Sequence, residues 1–313
     1  MSRRHTAYLY LLIVSIIWGA ASPVVKFTLQ WFNPWLFLTY RFAISTLIAL
    51  PYLQRSDMKF PKRAADQWLV LLTGFMSAPV ALFLFFEALD KTTALSGSLI
   101  TAAGPLFVIL GGMLFFRDRV TKYEKLGIVV ALAGTMLTVI GPLIINGHMD
   151  TLGRLEGNAI MLLAVISEAI AVLMSKEAVK KGISPTMLAQ SQFVIGFALF
   201  LPLLLLWQAP RIIITSILTA PWQAHAGVLF MALLSGTFAY TIRNMAVKWI
   251  EVSESALFTY LQPLWAAVLA VLWLRETITP SYIAGGVVIA LGVVIAEYKR
   301  EKHAAPRRRH GRR

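Results

Sequence analysis

The stretch from Ala94 to Gly134, ALSGSLITAAGPLFVILGGMLFFRDRVTKYEKLGIVVALAG, is written twice in this chain. Its second copy runs from Val252 to Gly292 as VSESALFTYLQPLWAAVLAVLWLRETITPSYIAGGVVIALG. A constant offset of 158 carries Leu99, Pro105, Arg117, Thr121, Gly127 and Gly134 onto Leu257, Pro263, Arg275, Thr279, Gly285 and Gly292. Asp118 falls on Glu276, so the charge is kept. Each copy is an apolar run of helix length with a central proline, a short charged turn, and a second apolar run carrying glycines. Two such units in an apolar chain point to an internally duplicated membrane protein.

Composition agrees. Hydrophobic residues make up 58% of the chain and the mean hydropathy is +0.70. Charged residues are 14%, against about 25% in ordinary proteins. Apolar runs recur along the whole length, each enough to cross a hydrocarbon core about 30 Å thick. We place spans at 8–28, 35–54, 67–89, 95–115, 123–143, 157–176, 186–206, 225–247, 253–274 and 281–298. Backbone in lipid must satisfy its own hydrogen bonds, so these are helices. The first span has no small-residue cleavage site after it and reads as retained rather than as a signal peptide. Without cysteine there is no disulfide, thiol nucleophile or thiolate metal site.

Basic residues set the orientation. With the N-terminus in the cytoplasm, the outer segments hold only Lys26, Lys91, Arg154, Arg211 and Arg275. Arg41 and Arg243 lie inside spans, and all other lysines and arginines are on the inner side. Both termini are therefore expected in the cytoplasm, in a multi-pass protein of the cell membrane. Each half has five spans, an odd number, so the second half sits upside down. The expected fold is all-α and integral to the membrane, with ten transmembrane helices as two inverted five-helix repeats, 8–143 and 157–298. The basic tail 299–313 is expected to fix topology and touch anionic lipid heads. No aromatic platform accompanies its arginines, which argues against nucleic acid.

Particular residues carry the resemblance to a family. Span one reads Trp18-Gly19-Ala20-Ala21-Ser22-Pro23 and continues to Lys26. Span two has Pro34 and then Arg41-Phe42, and span three ends in ALDKTTA from Ala88 to Ala94. Together with Pro105 and Pro263, the acids Asp118 and Glu276, and the paired glycines, this order resembles the drug/metabolite transporter superfamily, in particular its EamA-type ten-helix members. The resemblance runs from about residue 8 to 297. Asp118 replaces the glutamate usual there but keeps the charge. The resemblance implies export or exchange of small metabolites, often amino acids, by alternating access.

The buried ionisable residues are the candidate site. Glu168 lies near the middle of span six, where a charge costs roughly 2.5–3.5 kcal/mol on insertion scales and usually faces a cavity or a partner. An offset of 150 aligns it with Trp18, and Lys176 with Lys26. Glu168 either binds a substrate ammonium group or a coupling proton, or pairs silently with a neighbour. Glu87 either joins the outer vestibule or pairs with Lys91 at i+4; it aligns with Asn244 of span eight. Arg41 either meets a substrate carboxylate bidentately or pairs with Glu87. Lys26 and Arg243 near span ends are expected to snorkel.

Pro105 and Pro263 interrupt spans four and nine, and Pro23 weakens span one, so these three are read as hinges. Thr101 beside Pro105, and Tyr260, Gln262 and Trp265 beside Pro263, are candidate walls of the site. Ser22, Trp18 and Tyr240 complete the set, an aromatic lining suited to an amphipathic organic solute. Ordinary packing is the alternative for each aromatic. Small residues on spans five and ten, among them Gly127, Gly134, Gly286 and Gly292, mark scaffold and a homodimer face.

Other classes leave no trace. There is no P-loop, no H-E-x-x-H, no G-x-S-x-G and no acid cluster for a metal, so neither enzyme chemistry nor a cofactor is expected. A channel would show a filter repeated by oligomerisation. A secondary transporter of small organic solutes, amino acids first and drugs or organic cations second, is the expectation.

Overall fold

The structure, a computed structural model, describes residues 3–53, 61–116, 121–146, 150–247 and 258–297. The basic tail, Arg117 with Asp118, and the start of the second copy through Leu257 lie outside them. Among the described residues every regular element is a helix. In chain order they are α1 (Arg3–Thr28), α2 (Pro34–Leu53), α3 (Ala64–Phe75), α4 (Phe83–Lys91), α5 (Ala94–Ala102), α6 (Gly104–Phe116) and α7 (Lys122–Asn146). Then follow α8 (Asp150–Lys180), α9 (Pro185–Trp207), α10 (Pro210–Thr219), α11 (Trp222–Leu229), α12 (Ala239–Val247), α13 (Gln262–Leu272) and α14 (Pro280–Glu297).

Among the described residues six helices are long and apolar enough to cross a membrane, and four shorter apolar ones accompany them. Apolar side chains cover the outside: Phe115 is 77% exposed and Trp207 is 80% exposed. So much exposed apolar surface needs lipid around it. This is a membrane protein.

Spans four and nine are broken where their prolines fall. The first gives α5 and α6, with the break at Ala103 just before Pro105; the second breaks at Tyr260 and Leu261, just before Pro263. A proline has no N–H to give the carbonyl four residues earlier, here those of Thr101 and Thr259. The chain compensates with tighter bonds, Ala103 N–H to Ile100 O at 3.1 Å and Leu261 N–H to Phe258 O at 3.2 Å. Pro23 differs from expectation, because α1 runs through it without interruption. It removes one backbone bond, to the Gly19 carbonyl, and the helix continues past it.

Two features escaped the sequence reading. Spans three and eight each contain a π-helical stretch, Met76–Leu82 between α3 and α4 and Phe230–Phe238 between α11 and α12. They fall at nearly equivalent positions of the two halves. Pro79 in one and Ser235-Gly236 in the other were the only sequence signals. Such stretches free backbone carbonyls within a helix and gather at functional sites.

The glycines of spans five and ten bring α7 and α14 into backbone contact. A Cβ on Gly134 would fall 2.7 Å from the Ile289 nitrogen, and one on Gly292 would fall 2.7 Å from the Gly127 carbonyl. Only glycine allows this approach.

Charged residues at helix ends fasten the elements. Lys26 does not snorkel: its Nζ donates to the carbonyls of Leu89 (2.7 Å) and Asp90 (3.0 Å), capping the end of α4. Glu276 accepts the N–H groups of Ala94 (2.8 Å) and Leu95 (3.0 Å) at the start of α5. A cation at a C-terminus and an anion at an N-terminus both oppose the helix dipole. Glu276 thus acts on the other half of the chain, which gives the repeated acid a structural purpose.

Candidate functional site

The site grows from one face of α1. Ser15, Trp18, Gly19 and Ser22 recur at helical spacing and share that face. The Trp18 indole N–H donates to the carbonyl of Ser235, 3.1 Å away, inside the second π-helical stretch. Its ring meets Tyr240 of α12 edge-on, with centroids 5.1 Å apart. The Arg243 guanidinium lies 5.8 Å from the Trp18 ring centre. Arg243 is therefore turned toward this cluster by a cation–π contact rather than snorkelling away from it.

Glu168 lies in the middle of α8, and its side chain is exposed. Tyr240 is 37% exposed. Glu168 has no ion-pair partner among the described residues, so the silent pairing that the sequence left open is not formed.

Arg41 of α2 is 4% exposed. Its Nε and Nη1 have no hydrogen-bond partner, and neither does the hydroxyl of Ser45 one turn along. Its guanidinium lies 5.8 Å from the Phe86 ring centre, within an aromatic core where Phe37 meets Phe86 and Phe42 meets Phe200. Arg41 does not pair with Glu87. Glu87 is half-buried near the end of α4, where its charged neighbours are Lys91, Asp90 and Glu156. It belongs to a cluster at that helix end in which Lys91 bonds Glu156.

The two proline breaks lean on the two helices of this site. A Cβ on Gly104, at the first break, would sit 3.8 Å from Val165 Cγ1, one turn before Glu168. At the second break, a Cβ on Gly19, next to Trp18, would sit 2.8 Å from the Gln262 carbonyl and 2.6 Å from Trp265 Cβ. The Trp265 indole donates to Ser15 Oγ at 3.2 Å. By the repeat offsets Gly104 corresponds to Gln262 and Val165 to Ser15. Each break thus packs on the corresponding helix of the other half, α8 for the first and α1 for the second, through different residue pairs.

The remaining candidates stand further off. Thr101 bonds back to the Ser98 carbonyl in its own helix. Ser22 is buried in α1. Tyr260 packs with Leu99, Leu106 and Ile289 toward α14. Asn244 lies in α12, and its side chain is outside the described residues. Arg243 was the functional neighbour that sequence reasoning missed. Its signal was the i+3 spacing from Tyr240, which sets both on one helix face.

Comparison with known proteins places this geometry. The chain is 26% identical over 301 residues to a protein of Archaeoglobus fulgidus named "Uncharacterized transporter", covering 95% of this chain and 87% of the relative. It is 26% identical over 299 residues to "Uncharacterized transporter YyaM" of Bacillus subtilis, covering 92% of each. A solved crystal structure superposes with a TM-score of 0.64 over 96% of this chain and 100% of its own, at 14% identity, which speaks to the fold alone. The model of the EamA-like transporter family matches twice, at residues 5–140 and 155–298. The chain belongs to the EamA-like transporter family.

Proposed function

We propose that this protein is a secondary transporter, not an enzyme, that exports or exchanges amino acids across the cytoplasmic membrane by alternating access. Ten transmembrane helices form two inverted five-helix repeats with both termini in the cytoplasm. The observation that carries the reading is Glu168, an acid in the middle of α8 with no ion-pair partner among the described residues; the proposed cavity takes in Trp18 and Tyr240 with it. Glu168 takes the substrate ammonium group, the aromatic pair takes the apolar part, and an arginine takes the carboxylate. The breaks before Pro105 and Pro263 lean on α8 and α1, so bending at either repositions a wall of the cavity. Energy comes from the solute gradient or from protons held by Glu168. Arg243 over the Trp18 ring weighs against an organic cation, the second reading. The basic tail rests on anionic lipid heads. A homodimer through spans five and ten would use the outward faces carrying Val129, Val287 and Leu291, because their glycine faces are occupied by each other.

Counterflow of labelled amino acids into proteoliposomes tests this, wild type beside Glu168→Gln, with and without a pH gradient. The expected result is saturable counterflow that the variant loses. Loss of the gradient-driven part alone assigns Glu168 to the proton. Unchanged transport by the variant would remove Glu168 from the site.

A further inference from the structure

We propose that the Arg41 guanidinium and the Ser45 hydroxyl hold a small monovalent anion in the core beside α2. Where that anion is the carboxylate of the transported solute, the inference rests on the transporter reading above; where it is a halide from solution, it stands apart from that reading. Unmet hydrogen bonds collect at this place. Four buried side-chain atoms lack a partner among the described residues, and three of them are Arg41 Nε, Arg41 Nη1 and Ser45 Oγ. The fourth, Gln190 Oε1, belongs to α9, which packs along α2. Arg41 and Ser45 lie four residues apart on α2 and share a face. Arg41 is 4% exposed and Ser45 is 1% exposed.

An arginine side chain is not deprotonated in proteins, so a full positive charge is enclosed here. It has no ion pair among the described residues, and Glu87, next to Phe86 in the chain, makes none with it. The surroundings are apolar. The guanidinium lies 5.8 Å from the Phe86 ring centre, and Phe37, Phe42 and Phe86 are fully buried. An aromatic face attracts a cation but offsets only part of a desolvated charge. An enclosed charge without a counter-charge is strongly destabilising. Water would meet the three donors and leave the charge. A monovalent anion meets both needs: it accepts from Nε–H and Nη1–H, one edge of the guanidinium fork, and from the Ser45 hydroxyl. A dianion such as sulfate would carry a surplus negative charge into the same apolar surroundings and is disfavoured.

Thermal unfolding of the full chain in detergent tests the site without a transported solute. Chloride and acetate are each titrated against isethionate, a bulkier sulfonate, at constant ionic strength. A saturable rise in unfolding temperature is expected with at least one of the two. A response to chloride assigns the anion to solution, and a response to acetate alone assigns it to a solute carboxylate. Ser45→Ala is expected to raise the half-saturating concentration about tenfold, the loss of one charge-assisted hydrogen bond. Arg41→Met is expected to abolish the response and, with no enclosed charge, to unfold no earlier than the wild type in isethionate. Should Arg41→Met misfold, Ser45→Ala, which removes a single oxygen, carries the test. No saturable rise with either anion overturns the inference, as does a rise that Ser45→Ala or a folded Arg41→Met leaves unchanged. Because no transport is measured, those results leave the transporter reading to be decided by counterflow.

Discussion

Replacing Gly19 by alanine adds one methyl group at the point where α1 meets the break in span nine. That methyl would fall 2.6 Å from Trp265 Cβ and 2.8 Å from the Gln262 carbonyl oxygen. Contacts under 3.0 Å are essentially never made by a Cβ. Neither obstacle is a flexible side-chain end, since one is backbone and the other is bonded to it. The two helices must separate, which strains the Trp265–Ser15 hydrogen bond. Overpacking of this kind costs roughly 1–3 kcal/mol. Alanine returns about 0.5–1 kcal/mol through its better helix propensity. The net expectation is destabilisation by about 1–2 kcal/mol, together with slower counterflow because the break near Pro263 is displaced. Gly286→Ala is the control. Its Cβ would meet only the Leu99 methyls at 3.6 Å, so the propensity gain of about 0.5–1 kcal/mol should stand alone. Thermal unfolding of both variants in detergent reads the difference. If Gly19→Ala unfolds at or above the temperature of Gly286→Ala, the close-approach argument is wrong.

Glu276→Gln keeps one acceptor oxygen but loses the charge facing the start of α5 and one of two backbone bonds. A loss of about 1–2 kcal/mol is expected, visible as earlier thermal unfolding. Lys91→Gln breaks the bond to Glu156, an exposed pair, and stability should stay within about 0.5 kcal/mol of wild type; a larger loss in the same assay would mean that the cluster around Glu87 acts as a unit.

Much of the fold was legible because its determinants are local or periodic. The repeat from Ala94 marked the chain as duplicated, and the family model matches it twice. Pro105 and Pro263 announced their helix breaks through the missing N–H, which needs no tertiary partner. Pro23 did not follow: α1 continues through it with one backbone bond lost. The π-helical stretches were not legible, because they shift hydrogen-bond register without altering the apolar pattern. Lys26 and Arg243 were both read as snorkelling from their position near span ends. Each has instead a partner more than fifty residues away in the chain, a helix end for one and the Trp18 ring for the other.

The site divides the same way. Glu168 stood out from sequence because an acid in an apolar run has few neutral explanations. Whether it was paired could not be read, since a partner on another helix leaves no mark at fixed spacing. The Arg41–Glu87 pair was equally reasonable on depth alone, and the fold separates them. By itself the sequence determined an apolar, helical, duplicated chain with charges at particular depths, because hydropathy, prolines and repeats act along the chain. Only the tertiary structure decided which side chains meet: Trp18 of α1 lies against Tyr240 and Arg243 of α12, and Arg41 lies over Phe86 instead of beside Glu87, because packing brings together residues far apart in the chain.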